Sequence, residues 1–440
     1  MNRMTLRAVL TAALCVNVFV GADDASAQSG GADVPIVTLE EARRRAQQVS
    51  PAAAAARAQV ETGVWERRSA LTDLFTPRVD AGVSYTRFSD PFFNFGTGAI
   101  SPSATSATLQ ASYSLFGMGK VAELRRARAS LESAESGENA MIYRTALATD
   151  AAYFAVLADL ELADVAESRL KRAQEQFAMA RVRVQAGEAI ATDSLQLLLE
   201  VNRAQLALLR SDSALSVSML RLGGQIGLDG PAIAEPLDTA APPPLRITQE
   251  AAVRELRMRG PEIEAARAAE RRAHAALGVA RAAYWPSLQV VATTGAYDAE
   301  LFPSALKRTQ LALAVSLPIW NGGSRELALA QARAERDVAA ADRADRERAA
   351  AEAMARAYHG YNTARAGIEL AMVGVAVAAE SYRVQGARYR EGATTILDLL
   401  EAQVALGEAE AELVQSRHAA RLAVSQIEML LGRRITEDIR

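Results

Sequence analysis

The sequence predicts an α+β membrane protein in which four β-strands per chain contribute to a twelve-stranded trimeric β-barrel and long antiparallel helices form an α-helical barrel. Three observations support this fold class. The chain repeats one structural unit twice. Each unit contains two strands long enough to cross a bilayer, with one apolar and one polar face. Each unit also contains a proline-free helical stretch of about 66 residues, which spans about 99 Å at 1.5 Å per residue.

The two predicted repeats cover residues 28–230 and 247–440. Between them, residues 231–246 are rich in proline and are predicted to form a surface linker, because proline cannot continue a helix or a sheet interior. One constant shift aligns the late part of the two repeats without a gap. It pairs Gly187 with Gly392, Asp193 with Asp398, and Gly227 with Gly432.

The four predicted strands alternate apolar and polar residues, most strictly in the second of them, where Ser, Thr and Gln occupy the polar face. Such alternation indicates a sheet with lipid on one side and water on the other. The strands are predicted at 77–88, 104–116, 286–297 and 308–319.

Long helices follow each strand pair. They are predicted at 119–185, 192–228, 323–389 and 395–431. The helix before the first strand, near 52–75, is short enough to stack end to end on the helix at 192–228. The stack would then match the length of one continuous long helix, which favours a hollow cylinder of helices.

Four strands cannot close a barrel, and an open sheet edge in lipid would leave backbone groups unpaired. Other copies of the chain must therefore complete the barrel, as a dimer of eight strands or a trimer of twelve. Eight strands are filled by their own side chains, whereas twelve leave a lumen. The polar inner face suits water, so the trimer is the better inference.

Aromatic residues mark the four strand ends that share one side of the predicted membrane. They are Phe75, Phe116, Trp285 and Trp320. Because all four strand ends repeat the feature, we predict a membrane-interface girdle. The alternative is that they are ordinary hydrophobic residues at corners of the fold.

Composition and the N-terminus limit the other possibilities. Aromatic residues make up 5% of the 440 residues, the net charge is −3, and acids alternate with arginines, so we expect no nucleic acid partner. Residues 1–27 are predicted to be a cleaved signal peptide. Leu14 precedes Cys15 where a lipoprotein signal needs a small residue, so a lipid anchor is disfavoured. Cleavage would remove the only cysteine, and the three histidines have no partner at metal-ligand spacing, so neither a metal nor a cofactor is expected.

Two motifs of the second repeat carry a family resemblance. They are Leu317-Pro318-Ile319-Trp320-Asn321-Gly322-Gly323 with the helix start after it, and Tyr389-Arg390-Glu391-Gly392 through Gln403. Weaker copies stand at 115–119 and 185–193 in the first repeat. With these motifs, the chain resembles the TolC family of outer-membrane efflux proteins over essentially all of the mature sequence.

The resemblance implies a homotrimer in the cell outer membrane whose helices extend into the periplasm. It implies a passive channel of a tripartite efflux or type I secretion system and no catalytic residues. The implied partners are outer-membrane lipids, a periplasmic adaptor protein, and an inner-membrane pump of the resistance-nodulation-division or ABC type. A periplasmic coiled-coil adaptor or a structural scaffold is the alternative, although neither explains repeated bilayer-length strand pairs.

The resemblance also implies site residues near the two helical turns. The implied pore constriction consists of Asp398, Glu401, Asp193 and Tyr389. The implied adaptor-docking tips consist of Gly187, Gly392, Thr395 and Ile396. Thr394 stands where the family has a basic residue, so Arg388 or Arg390 would have to supply the latch. The alternative for both aspartates is that each caps the helix that follows its turn.

Overall fold

The computed structural model describes residues 34–94, 98–187, 190–237, 242, 244–298 and 305–435. The predicted signal peptide lies outside the described residues. In chain order the elements are β1 Ile36–Val37, α1 Leu39–Val49, α2 Pro51–Phe75, β2 Arg78–Asn94, β3 Ala99–Phe116, α3 Met118–Gln185, α4 Ala191–Gln225, β4 Ile233–Ala234, α5 Gln249–Arg259, α6 Pro261–Ala282, β5 Ser287–Asp298, β6 Leu306–Ser316, α7 Ser324–Arg390 and α8 Ile396–Leu431.

Four strands form one antiparallel sheet in the order β2-β3-β5-β6. The first two strands are longer than predicted, with 17 and 18 residues. Their pairing is irregular between Arg87 and Phe92 and then resumes. Pro91 falls in this irregular stretch, where a missing backbone donor is tolerated. The sequence alternation stops there, which is why the prediction ended the strand near residue 88.

The register aligns one mainly apolar face across all four strands. Val79 lies opposite Ala111, which lies opposite Ala292, which in turn lies opposite Leu311. Large apolar side chains on this face are exposed, including Val83 at 77% and Leu311 at 75%. The opposite face carries polar contacts such as that between the Ser84 and Ser106 hydroxyls, 2.8 Å apart.

The two longest helices run from the sheet to the turns at the other end of the fold. α3 has 68 residues and α7 has 67, so each spans about 100 Å. α2 and α4 pack on different parts of α3, and α6 and α8 pack on α7. The shorter helices meet end to end. A Cβ added to Gly227 after α4 would collide with Val49 at the end of α1, and a Cβ added to Gly432 after α8 would collide with Pro261 at the start of α6. Both glycines have positive φ, 78° and 69°, which lets the chain leave each helix at the joint.

The linker prediction is corrected in part. Ile233–Ala234 forms a short parallel pair with Ile36–Val37. Ala232 and Ala234 are fully buried beside Tyr153 of α3. The exposed residues of the described part of the connection, such as Pro236 and Pro244, come after these buried alanines. Among the described helices, none is long and apolar enough to cross a membrane.

Candidate functional site

The candidate site lies where α3 and α7 end and the chain turns back into α4 and α8. Gly187 and Gly392 occupy these turns with φ of 76° and 72°. Glycine adopts this left-handed conformation without the strain a Cβ would add. Each returning helix begins within four residues of its glycine, at Ala191 and Ile396. Residues 188–189 of the first turn lie outside the described residues.

Asp398 closes the first turn of α8. Thr395 is the N-cap, and the two residues form a reciprocal capping box. One carboxylate oxygen of Asp398 accepts hydrogen bonds from the Thr394 and Thr395 hydroxyls, both at 2.7 Å, and from the Thr395 backbone N–H at 3.0 Å. These bonds satisfy donors that a helix start leaves unpaired. The capping alternative therefore describes Asp398 correctly, and the second carboxylate oxygen stays available for other interactions.

The same hydrogen bonds lower the pKa of Asp398 from 3.8 to about 2, with the Thr395 hydroxyl as the largest cause and Thr394 next. Because the folded pKa is depressed, this contribution to stability is present above pH 3.8 and is lost as the pH falls through about 2. We predict that a carbon-13 NMR titration of the Asp398 carboxyl will show a midpoint near 2. Thr395→Val should move the midpoint toward 3.8, and a midpoint near 4 in the unaltered chain would contradict the structure.

Asp193 is not the N-cap of its helix. The N-cap of α4 is Ile190, which has no side-chain oxygen, and Asp193 lies in the first turn, with no capping hydrogen bond to any residue that the structure describes. Its carboxylate instead lies near the Tyr389 hydroxyl of α7. The pKa of Tyr389 is raised first by burial and then by the charge of Asp193. The buried hydroxyl has no partner that meets the full geometric criteria for a hydrogen bond among the described residues. A hydrogen bond with Asp193 is nevertheless the smallest of the causes that shift the pKa of Tyr389, so the two groups lie close to hydrogen-bonding distance.

Arg183 of α3 joins the two tips, and the sequence prediction missed it. One guanidinium nitrogen donates to the Tyr389 carbonyl at 2.7 Å, and the guanidinium carbon lies 5.4 Å from the Tyr389 ring centroid. Both contacts link the first half of the chain to the second. The constant shift between the repeats aligns Arg183 with Arg388, a signal that could have identified a basic position at each tip.

The proposed substitutes for the family's basic latch residue stay within their own tip. Arg388 reaches the Ala393 carbonyl at 3.5 Å, and Arg390 donates to the Gly386 carbonyl at 3.2 Å. Arg388 also helps to lower the pKa of Asp398, as the smallest of its causes. Within the described part of the chain, neither arginine forms a hydrogen bond with α3 or α4, whereas Arg183 connects the two tips.

The predicted docking residues differ in their accessibility. Thr395 is exposed, but Ile396 is only 6% exposed and packs with Leu197, Leu399 and Tyr389. Ile396 is therefore removed from the predicted docking surface, because it supplies the apolar contact that joins α8 to α4 and α7. Two other apolar side chains are accessible at the tips. They are Ile190, which is 67% exposed, and Leu397, which is 63% exposed.

The predicted constriction residue Glu401 and the predicted membrane-interface aromatics are exposed where the structure describes their side chains. Glu401 is exposed, one turn beyond Asp398 on α8. Phe75, Trp285 and Trp320 are exposed at 72%, 56% and 77% near the ends of the sheet strands. Phe116 ends β3, and its side chain lies outside the described residues.

The described residues contain no group of three or more potential metal ligands. His418 is buried, with 6% of its surface exposed. Its Nε2 lies 3.2 Å from a carboxylate oxygen of Glu161. Burial is the largest cause that lowers the pKa of His418. This contact joins α8 to α3, so His418 has a structural role in helix packing.

Known proteins share both sequence and fold with this chain. The chain is 27% identical over 352 residues to the toluene efflux pump outer membrane protein TtgC of Pseudomonas putida, which covers 78% of the chain and 72% of that protein. It is 24% identical over 385 residues to the outer membrane protein TolC of Escherichia coli, covering 82% and 76%. The crystal structure of the outer membrane protein VceC from Vibrio cholerae superimposes with a TM-score of 0.76 at 20% identity, covering 90% of this chain and 96% of that one.

The family match is more specific than these similarities. The model of the family described as outer membrane efflux protein matches residues 40–227 and 252–433, which together make up most of the chain. This match confirms the resemblance to the TolC family and leaves the adaptor and scaffold alternatives without support. The chain therefore belongs to the outer membrane efflux protein family, whose members are channels of the outer membrane that extend into the periplasm, and not enzymes.

Proposed function

We propose that the chain is the outer-membrane channel of a tripartite efflux or export system and works as a homotrimer. In this proposal three four-stranded sheets close a twelve-stranded barrel, and the long helices form a barrel through the periplasm. Cargo would pass passively from an inner-membrane pump and a periplasmic adaptor to the outside. The two family matches, one in each half of the chain, support the two structural repeats.

The single observation that carries the proposal is the open four-stranded sheet. Its outer strands β2 and β6 each pair on one side only among the described residues. Its apolar face exposes large side chains on β2, β3 and β6, such as Val83, Leu109 and Leu311, which suits lipid. An open edge in lipid would leave backbone donors and acceptors unpaired at a cost of several kcal/mol each. Pairing of β6 with β2 of another copy would remove both edges.

Fractionation and cross-linking test the trimer. We expect the protein in the outer-membrane fraction. With one cysteine introduced on β2 and one on β6, we expect disulfides between copies that produce cross-linked species of two and three chains and none larger. The chain has one cysteine, Cys15, so engineered pairs would be clear to interpret. A soluble monomer, or cross-links that stop at a dimer, would contradict the proposal.

We propose further that the tips form the pore constriction. Asp398 and Glu401 lie one helical turn apart on α8, so three copies would bring six carboxylates to one bore. Tyr389, Asp193 and Arg183 connect the α7–α8 turn to the α3–α4 turn. Because Arg183 makes the direct hydrogen bond between the turns, we assign it the latch role that Thr394 cannot fill.

Loss of this latch should open the channel. We predict that Arg183→Gln will raise single-channel conductance in planar bilayers several-fold, because it removes a hydrogen bond from a charged group, worth about 1.5–3 kcal/mol, and a cation–π contact. Arg203→Gln is the matched control, since Arg203 is exposed on α4 and forms no ion pair with a described residue. Equal conductance of the Arg183 variant and the unaltered channel would rule out this latch.

A further inference from the structure

A groove of about 480 Å³ lies between α3 and α6, just below the end of the sheet. Its floor is apolar and includes Val121 and Ala122 of α3 and Gly278 of α6. A Cβ built on Gly278 would meet no atom within 4 Å, so the floor is open. We call this feature the α3–α6 groove. Trp285, which precedes β5 and is 56% exposed, lines its upper end.

Three arginines line the α3–α6 groove, and no acidic residue does. Arg271 is already paired, because its guanidinium lies 2.8 Å from a carboxylate oxygen of Glu132. Arg125 and Arg281 are exposed and form no ion pair with any other residue that the structure describes. The groove therefore offers two uncompensated positive charges above an apolar floor, a combination that suits an anionic amphiphile.

The groove lies on the side of the helix layer that faces away from the proposed lumen. On the opposite side of α6 is a larger cavity of about 870 Å³, lined by residues from α2, α3, α6 and α7 together, such as Glu66 and Arg346. In the proposed helical barrel, a cavity that is shared by side chains of four neighbouring helices lies on the inner side of the helix layer. The α3–α6 groove is lined by two helices and by positions of α6 spaced three or four apart, Arg271, His274 and Gly278, which share its other face.

The two free arginines lie at the level where lipid headgroups would be. Arg281 is in the last turn of α6, six residues before β5 begins. Arg125 lies nine residues after β3 ends, which is about 14 Å at 1.5 Å per residue. Headgroup layers extend several ångströms beyond the hydrocarbon core on each side. Trp285 at the top of the groove suits the same boundary.

We propose that the α3–α6 groove binds the phosphate headgroup of an anionic phospholipid from the leaflet that faces the periplasm. Arg125 and Arg281 contact the phosphate, Trp285 lies at its glycerol end, and the acyl chains stay in the bilayer beside the sheet. In the helix layer α2-α3-α6-α7, the helices α3 and α6 are the middle pair. The site is therefore complete within one chain. The inference rests on the proposed placement of the sheet in the membrane.

Fluorescence quenching by brominated lipids tests the site. The chain has three tryptophans, so Trp65→Phe combined with Trp320→Phe leaves Trp285 as the only emitter. In liposomes with equal surface fractions, we expect brominated phosphatidylglycerol to quench Trp285 more strongly than brominated phosphatidylethanolamine. Arg125→Gln with Arg281→Gln should remove this preference, at about fivefold in relative binding per arginine. Gly278→Leu should also remove the preference for phosphatidylglycerol, because the leucine side chain fills the floor of the groove. Arg203→Gln is the control and should leave the preference unchanged.

The outcomes separate the inference from the proposed function. Equal quenching of Trp285 by both lipids, or a preference that survives the double arginine variant, would overturn the lipid site. A second single-tryptophan variant, which keeps Trp320, reports on membrane placement itself. Quenching at Trp320 without quenching at Trp285 would overturn only the groove's assignment. No quenching at either tryptophan would contradict the placement of the sheet in lipid.

Discussion

Replacement of Leu311 with lysine should prevent stable assembly in the outer membrane. Leu311 lies near the middle of β6 and is 75% exposed on the apolar face, opposite Ala292 of β5. A lysine on the lipid face near the bilayer midplane costs about 2–4 kcal/mol in membrane barrels. In a trimer the cost would apply three times. We expect loss of the folded trimer from outer-membrane fractions and a lower urea midpoint for protein folded into liposomes.

The matched control is the neighbouring residue of the same strand. Gln310 lies opposite Thr293 on the polar face, so Gln310→Lys adds the same charge toward water. We expect this variant to assemble like the unaltered chain. If Leu311→Lys assembled as well as Gln310→Lys, the apolar face of the sheet would not face lipid.

Replacement of the exposed apolar residues at both tips should abolish export. Ile190 and Leu397 present accessible apolar surface beside the turns, where we propose that the adaptor docks. Buried apolar anchors at such interfaces are each worth about 2 kcal/mol, so Ile190→Arg and Leu397→Arg should each weaken adaptor binding about 30-fold. Pull-down of the adaptor and an export assay measure the effect, while cross-linking checks that the trimer still forms.

Leu397→Met is the control, because it keeps apolar surface at the same position. Gly392 is a poorer probe of docking, since any side chain at its φ of 72° adds strain of about 1–2 kcal/mol to the turn. Ile396 is also a poor probe, because a large change there would disrupt the buried contact with Leu399. Unchanged adaptor retention by the Ile190→Arg, Leu397→Arg double variant would contradict docking at the tips.

The candidate site shows where sequence reasoning reaches its limit. The turn glycines could be predicted because a positive φ is a local requirement of the backbone. Thr395 and Asp398 could also be identified as a cap from sequence, since the capping box spans four residues. Arg183 could not be linked to Tyr389 in this way, because the two residues lie 206 positions apart and meet only when the folded chain brings the ends of α3 and α7 together.

The sequence by itself determined the alternation of the strands, the proline-free helices and the two turns, because each depends on residues close together in the chain. Only the tertiary structure decided which residues the packing covers. It buried Ile396, Ala234 and His418, whose neighbours come from distant helices, and it left Ile190 and Leu397 exposed. It also left β2 and β6 as the open edges of the sheet, because strand order depends on how the two hairpins dock. Local periodicity fixes the face of an element, whereas its partner is set by the packing of the whole chain.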